Sequence, residues 1–362
     1  MPYCILYAKN DMNTSKPLKI CVLRLTALGD CINAFGFLQA VKKNNPHAEL
    51  VWIIDKRFSS LFRDSTGTDL ITMVEVDFKP GLLSALLDLR RKLKGQRFDV
   101  LLNMQTSIKA SLCSLLISAK LKFGYDRFRS RELQFLFVNR RVTSPNNPHV
   151  LAGFMAFGKQ AGLGDLNPCW DFKLSEQEIS PFRKLLSNKK IFTLSPASAK
   201  ASKNWTVEGY SAIALYAQSQ GFEVVLTGGN KDSEVKLCEE IEKKLFGKCL
   251  NLCGKTSLRE LACLISLSSV VLSPDSAAMH LASALNIPVI GLFAIHNPKR
   301  VGSWNYPQLW VSVYNDLAKK ELGTNAQIPW RYRVKTPSAM KQISVEQVKS
   351  AFDKAVELSL FS

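Results

Sequence analysis

The chain is predicted to be an α/β protein built from two parallel, doubly wound sheets. Three observations carry this. Short apolar runs rich in Val, Ile and Leu alternate with stretches whose apolar residues recur at helical spacing. The same alternation occurs once in each half of the chain. At 362 residues the chain is also too long for one ordinary core.

Taken in order, Ile20 to Leu25 reads as the first strand, ending at Thr26-Ala27-Leu28-Gly29-Asp30. A helix follows, with Ala34, Leu38 and Val41 on one side. Leu50 to Ile54 is a second strand and Val74 to Val76 a third. Leu82 to Leu93 is helical, Asp99 to Met104 is a fourth strand, and Ser107 to Ala119 is a helix. From Gly124 to His149 the chain turns basic and aromatic, and it reads as a long loop inserted in the domain. The second unit starts at Ile191. Its strands are Glu223 to Leu226, Leu250 to Leu252, Val270 to Leu272 and Val289 to Phe293. Its helices are Val207 to Gln218, Ser233 to Leu245 and Leu258 to Leu267. Ser344 to Leu360 is a terminal amphipathic helix. The boundary falls near Asp171 to Leu186, giving domains at 1–175 and 186–335. The remainder, 336–362, is a helical segment free to pack back on the N-terminal domain.

The net charge is +18, with 46% apolar and 22% charged residues. The composition is that of a soluble globular protein. The charge favours an anionic partner: nucleic acid, an anionic membrane surface or a phosphorylated substrate. The nine Cys are scattered in apolar runs without Cys-x-x-Cys, which reads as buried free thiols in a reducing compartment. Met1 to Leu18 resembles neither a signal nor a transit peptide. No apolar run approaches the ~20 residues that span a bilayer. The expected location is the cytoplasm.

The stretch from Val270 to Ala282 (VVLSPDSAAMHLA) organises the second unit. A strand that ends in Pro-Asp-Ser and opens into a helix leaves backbone N–H groups for an anion. Asp275 or Ser276 could equally cap that helix and do nothing else. Ligands of doubly wound sheets sit at the carboxyl ends of strands. Four loops leave such ends: Thr26 to Asp30, Pro196 to Trp205, Thr227 to Asn230, and Pro274 to Ala278. In two facing domains they would meet across one cleft. Asp30 suits a general base or an N-cap. Lys203, with Ser195, Ser198 and Lys200, suits a pyrophosphate, or is simply solvated. Gly-x-Gly-x-x-Gly, the phosphate loop Gly-x-x-x-x-Gly-Lys-Ser/Thr and Asp-x-Asp are all absent.

Four pieces together resemble the bacterial lipopolysaccharide heptosyltransferases of glycosyltransferase family nine, and the Arg127 to Arg141 segment looks most like the heptosyltransferase I subtype. They are Ile20–Asp30 (ICVLRLTALGD), Ser195–Trp205 (SPASAKASKNW), Ser273–Leu281 (SPDSAAMHL) and Pro288–Phe293 (PVIGLF), in the family's order and spacing. The resemblance implies a GT-B fold of two facing Rossmann-like domains. It implies inverting transfer of heptose from ADP-heptose, with no obligatory cofactor and no metal. By position, Asp30 resembles the catalytic aspartate and Lys203 the phosphate-binding lysine that assists departure of ADP. Ser198 matches a neighbouring hydroxyl. Asp275, Ser276 and the backbone of Ala277 and Ala278 match the diphosphate and heptose contacts. His280 matches a histidine one turn on, or is a core histidine. Thr256 falls near the adenosine pocket, beside Lys255.

Three positions depart from the family pattern. Ala277 stands where Gly is frequent, Asn230 where an acidic ribose contact is frequent, and His149–Gly153 lacks the usual Arg. Arg127, Arg129 and Arg131 are assigned to the acceptor, expected to be Kdo–lipid A at the inner leaflet. The N-terminal domain is thus the acceptor domain, the C-terminal one the donor domain, and the enzyme a peripheral membrane protein. Two rivals remain. One is a GT-B transferase with another nucleotide-sugar donor. The other is a basic nucleic-acid-binding protein, against which the absence of any such motif counts.

Overall fold

The computed structural model describes residues 16–186 and 190–360, and it divides between Lys173 and Leu174. Residues 1–15, on which most of the leader expectation rests, lie outside the described residues.

In the first unit the chain runs β1 (Lys19–Leu23), α1 (Leu28–Asn44), β2 (Glu49–Asp55), a single-turn α2 (Lys56–Ser59) and β3 (Met73–Val76). It continues through α3 (Leu82–Lys92), β4 (Phe98–Asn103), α4 (Ile108–Leu115), β5 (Ala119–Tyr125), β6 (Arg140–Val142) and α5 (Val150–Gln160). All strand pairs are parallel, in the order β3-β2-β1-β4-β5-β6. One face of the sheet is sealed by Leu23, Val51, Ile53, Ala85, Leu89, Leu101 and Cys113. Elsewhere in the unit Phe62 packs against Phe35 at 5.0 Å and Trp52 at 4.7 Å between ring centroids. α1 is buried from Cys31 to Leu38, more fully than a one-sided helix requires. Gly36 is needed within it, because a Cβ there would lie 2.3 Å from the Trp170 ring. Trp170 donates its indole N–H to the Ile32 carbonyl at 2.8 Å.

The segment read as a basic loop carries structure. β5 occupies Ala119 to Tyr125, between the end of the expected helix at Ala119 and the start of the expected loop at Gly124, a stretch given no element in the sequence. β6 is a three-residue edge strand, and its two exposed arginines, Arg140 and Arg141, discourage further strand pairing.

The second unit begins with α6 (Glu176–Leu185), inside the expected boundary. It then runs β7 (Ile191–Leu194), α7 (Val207–Ser219), β8 (Glu223–Leu226), α8 (Asp232–Lys244), β9 (Leu250–Asn251), α9 (Leu258–Ser266) and β10 (Val270–Pro274). It ends with α10 (Ala277–Ala284), β11 (Val289–Phe293), a single-turn α11 (Pro298–Val301), β12 (Trp310–Ser312), α12 (Tyr314–Leu322) and α13 (Val345–Ser359). The sheet is again parallel, ordered β12-β11-β10-β7-β8-β9. α6 belongs here because Glu178 pairs with Arg259 of α9 at 2.5 Å.

The expected docking of the terminal helix on the N-terminal domain is corrected. α13 buries Val348, Phe352 and Ala355 in its own unit. The Phe352 ring lies 4.9 Å from Phe192 and 5.1 Å from Phe222. The apolar stripe that made it look unpartnered is spent on the second sheet.

The eight described cysteines form no disulfide. Most are buried, and burial pushes the Cys113 thiol up to about 12.

Candidate active site

Each sheet has one place where strand order reverses, between β1 and β4 in the first unit and between β7 and β10 in the second. Ligands of such sheets gather outside the carboxyl ends of the strands at that point. Most of the candidate residues fall there.

In the first unit, Gln105 leaves the end of β4 and holds the loop that leaves β1. Its Oε1 accepts from Leu25 N at 2.7 Å and Thr26 N at 3.0 Å, and its Nε2 donates to Thr26 Oγ1 at 3.0 Å. α1 then opens with Ala27 at its N-cap and no side-chain cap, so Asp30 lies inside the first turn and is not the cap. Its carboxylate accepts instead from Arg24 Nη2. Arg24 is itself fixed: Nη1 donates to Met104 O at 2.6 Å, and its guanidinium lies 5.5 Å from the centre of the Phe154 ring. The Asp30 side chain keeps 31% of its surface open, whereas that of Arg24 keeps 11%. A positioned carboxylate with one accessible edge at a switch point can take a proton from a bound hydroxyl. Arg24 and Gln105 carried no role in the sequence, although one lies within the first motif and the other at a strand end.

In the second unit, β10 runs through Pro274, which pairs with Leu292 at the last position of the strand. Ser276 is the N-cap of α10 but makes no cap bond, and its hydroxyl instead meets Ser273 Oγ at 2.7 Å. Asp275 does not cap either. The first-turn N–H groups of Ala277 and Ala278 are therefore not claimed by a side-chain cap, and the helix dipole adds positive potential there. His280, one turn on, is buried.

Lys203, from the loop after β7, reaches the end of β10. Its ammonium donates to Asp275 O at 2.5 Å and to Asp275 Oδ2 at 3.2 Å. On the other side His296, from the loop after β11, meets Asp275 Oδ2 at 2.6 Å through Nδ1. The Lys203–Asp275–His296 trio is thus largely buried beside an open helix terminus. Burial pushes the Asp275 carboxyl up, but the hydrogen bond from His296 and the charges of Lys203, His296 and His280 outweigh it, so the group sits well below the usual carboxylate range. Burial lowers the His296 pKa despite the adjacent carboxylate. A neutral ring donating Nδ1–H to an ionised Asp275 fits both shifts. His296 escaped the sequence reading, although it follows a strand end by three residues and is one of four histidines in the chain.

These shifts predict an acid-sensitive second unit. His296 is depressed in the folded state, so as pH falls through about 6.5 the unfolded chain takes up the proton first and stability drops. Asp275 is also depressed, so its contribution is full above about pH 3.9 and is lost below it. His296→Gln should flatten the loss of stability between about pH 7 and 5, and Asp275→Asn the loss below about pH 4. Urea midpoints measured across that range are the check, and an unchanged slope in His296→Gln would refute the assignment.

The remaining residues divide. Ser198 turns inward: its N–H donates to Asn204 Oδ1 at 2.9 Å and its hydroxyl to Lys200 O at 2.8 Å, so it shapes the Lys203 loop. Lys200 is exposed. Trp205 anchors the same loop by donating its indole N–H to Ile343 O at 3.1 Å, and its ring packs edge-on to Tyr210. Thr256 follows β9, the edge strand of the sheet, next to Ser257, which caps α9. A cavity of about 520 Å³ adjoins the loop along Asn204, Trp205, Val334 and Met340, but Lys203, Asp275 and His280 do not line it.

Arg127 and Arg131 are exposed in the first unit and line a cavity of about 360 Å³ with Arg141 and Phe135. Arg129 is 4% exposed, which corrects its place beside them on an open loop. Its guanidinium donates to Asn147 O at 3.2 Å and occupies the space where a Cβ on Gly153 would sit. Among the described residues no group of three or more His, Cys, Asp or Glu is arranged to hold a metal ion.

Comparison with known proteins bears on the family and the fold. The sequence profile of glycosyltransferase family 9 (heptosyltransferase) matches residues 86–331. The chain is 38% identical to the lipopolysaccharide core heptosyltransferase OpsX of Haemophilus influenzae, over 92% of this chain and 96% of that protein. It is 24% identical to lipopolysaccharide heptosyltransferase 1 of Campylobacter coli, over 76% of this chain and 84% of that one. In fold it is similar to a family 9 glycosyltransferase from Veillonella parvula, with TM-score 0.72, 20% identity and coverage of 94% and 97%. It is also similar to the Escherichia coli heptosyltransferase WaaC solved with ADP, with TM-score 0.70, 17% identity and coverage of 93% and 100%. The two parallel Rossmann-like sheets are those of a GT-B enzyme, and the chain belongs to glycosyltransferase family 9, the heptosyltransferases.

Proposed function

We propose that this glycosyltransferase acts in lipopolysaccharide core assembly, transferring heptose from ADP-heptose to a Kdo–lipid A acceptor at the inner leaflet with inversion. The observation that carries the donor half is Lys203 beside the uncapped start of α10, a cationic and N–H-rich site suited to a diphosphate. The similarity to WaaC, solved with ADP and with ADP-2-deoxy-2-fluoro heptose, supports the same donor.

In this reading Asp30 removes the acceptor hydroxyl proton. The oxygen forms a bond to the anomeric carbon as the bond from that carbon to the diphosphate oxygen breaks. Lys203 and the N–H groups of Ala277 and Ala278 stabilise the negative charge on departing ADP. Asp275 and His296 do not touch the reacting atoms in this scheme; they position Lys203. Ser276, His280 and Thr256 remain donor contacts in the proposal, and Ser198 supports the loop. Incubation of the protein with ADP-heptose and Kdo–lipid A, followed by mass spectrometry of the lipid, tests it. No added heptose, or transfer only from a UDP-sugar, would reject it.

Arg127 and Arg131 are the acceptor's phosphate or carboxylate contacts in this scheme, since arginine pairs with either in forked geometry. Exchange of both for Gln should raise the acceptor KM by about tenfold or more and leave donor affinity unchanged. The defect should deepen with salt as the remaining charges are screened. A fall in donor affinity at constant acceptor KM would move the segment away from the acceptor.

A further inference from the structure

Four large apolar side chains are exposed within nine residues: Phe128 at 85%, Leu133 at 57%, Phe135 at 43% and Leu136 at 65%. Soluble proteins scatter such residues singly, and a cluster marks a surface with a partner. Ile108 and Leu115 of α4 are exposed too, and α4 packs against the 3-10 turn Gln134–Phe137 that carries Phe135 and Leu136. The apolar tips are interleaved with Arg127, Arg131, Arg140 and Arg141, all exposed, and the Arg141 guanidinium lies 5.7 Å from the centre of the Phe135 ring.

The acids of this segment are turned to the backbone. Asp126 Oδ1 accepts from Phe128 N at 2.8 Å and Arg129 N at 2.9 Å, and Glu132 Oε2 accepts from Ile108 N at 2.7 Å. Glu132 and Leu133 both have left-handed backbone, with φ of 47° and 59°. That conformation is uncommon for a bulky side chain. It is held from both sides, by Glu132 on α4 and by the buried Gln134, whose amide donates to Asn103 O at 2.9 Å and Gln105 O at 3.0 Å. The fold thus spends backbone strain to present an apolar tip ringed by guanidinium groups.

We propose that the 127–141 surface, with the outer face of α4, docks the enzyme on an anionic phospholipid bilayer. Phe128 and Leu136 enter the headgroup boundary while Arg140 and Arg141 meet lipid phosphates. Apolar side chains ringed by arginine complement such an interface, which offers acyl chains beneath negative charge. Four exposed arginines around the apolar tips match the phosphates of an anionic bilayer, which lie directly above its acyl chains. The proposal deepens the reading of a membrane-embedded acceptor.

The test is co-sedimentation of the full chain with vesicles of phosphatidylethanolamine and phosphatidylglycerol, containing neither donor nor acceptor. Wild type should partition onto them at least ~tenfold better than onto phosphatidylcholine vesicles. Phe128→Ser with Leu136→Ser should lower that partition by ~tenfold or more. The double variant should keep its thermal unfolding temperature, its ADP affinity and its turnover on a delipidated, soluble acceptor. Equal partition of the variant and wild type, or no preference for the anionic vesicles, would overturn the proposal. So would a variant that changes only the oligomeric state of the lipid-free protein, which would make the surface a protein interface. Because the vesicles hold no substrate, this result and that of the transferase assay stand or fall separately.

Discussion

Asp30→Asn should abolish most turnover, by about two to four orders of magnitude, with ADP affinity unchanged. The substitution keeps an oxygen to accept from Arg24, so the Arg24 contacts to Met104 and Phe154 persist and the first turn of α1 stays in place. What is lost is the capacity to hold the acceptor's proton. Arg24→Gln provides the contrast. It leaves the carboxylate but frees its orientation, so kcat should fall less than in Asp30→Asn. Steady-state transfer assays with calorimetry of ADP separate the two. If Asp30→Asn retains most of its turnover, the carboxylate is a helix-dipole partner and nothing more.

Lys203→Ala should act twice. Loss of a charged hydrogen bond should weaken ADP by about 1.5–3 kcal/mol. It should also strip Asp275 of its cation. Removing one member of a buried ion pair costs about 3–5 kcal/mol of stability when the remaining charge is left unpaired; Asp275 keeps its hydrogen bond to His296, so the loss should fall at or below the lower end of that range. The pair is buried enough for that figure to apply, with 13% and 14% of the side chains exposed. Lys203→Met combined with Asp275→Asn should therefore regain much of the stability while ADP still binds weakly. Calorimetry and urea unfolding of the two proteins decide it. ADP affinity unaltered in Lys203→Ala would remove the lysine from the diphosphate site. Equal instability in the single and double variants would show that Lys203 matters to folding through its packing and not its charge.

The sheets were legible because buried parallel strands are continuous apolar runs, as in Ile20–Leu25 and Val289–Phe293. β5 was not, because Lys120 and Lys122 interrupt it and the preceding helical spacing runs into it. β6 was hidden by its arginines, and α5 by Gly153 and Gly158, poor helix formers kept where Arg129 and Leu166 come close. At the candidate site, the strand-end rule put Asp30, Lys203 and Asp275 on loops that leave strand ends, and the strand order puts those loops at the two switch points. It could not say where a side chain turns. Local sequence suggests that Asp30, Asp275 and Ser276 cap helices, yet none makes a side-chain cap bond, since each side chain has another partner. Arg129 was misplaced for the same reason: a charge in a basic run reads as solvated until a glycine in a distant helix makes room for it.

The bond from Trp205 to the Ile343 carbonyl joins the lysine loop to a stretch 138 residues later. Synthesis proceeds from the amino end, and domains assemble as units while it does. A nascent chain that has just delivered His296 already contains every residue assigned to the diphosphate, yet the anchor of the Lys203 loop is still to be translated. That anchor of the loop is complete only once Ile343 has emerged, and α13, whose Phe352 packs on Phe192, follows directly after it. If Lys203 holds the diphosphate as proposed, donor binding would have to await translation of the end of the second unit.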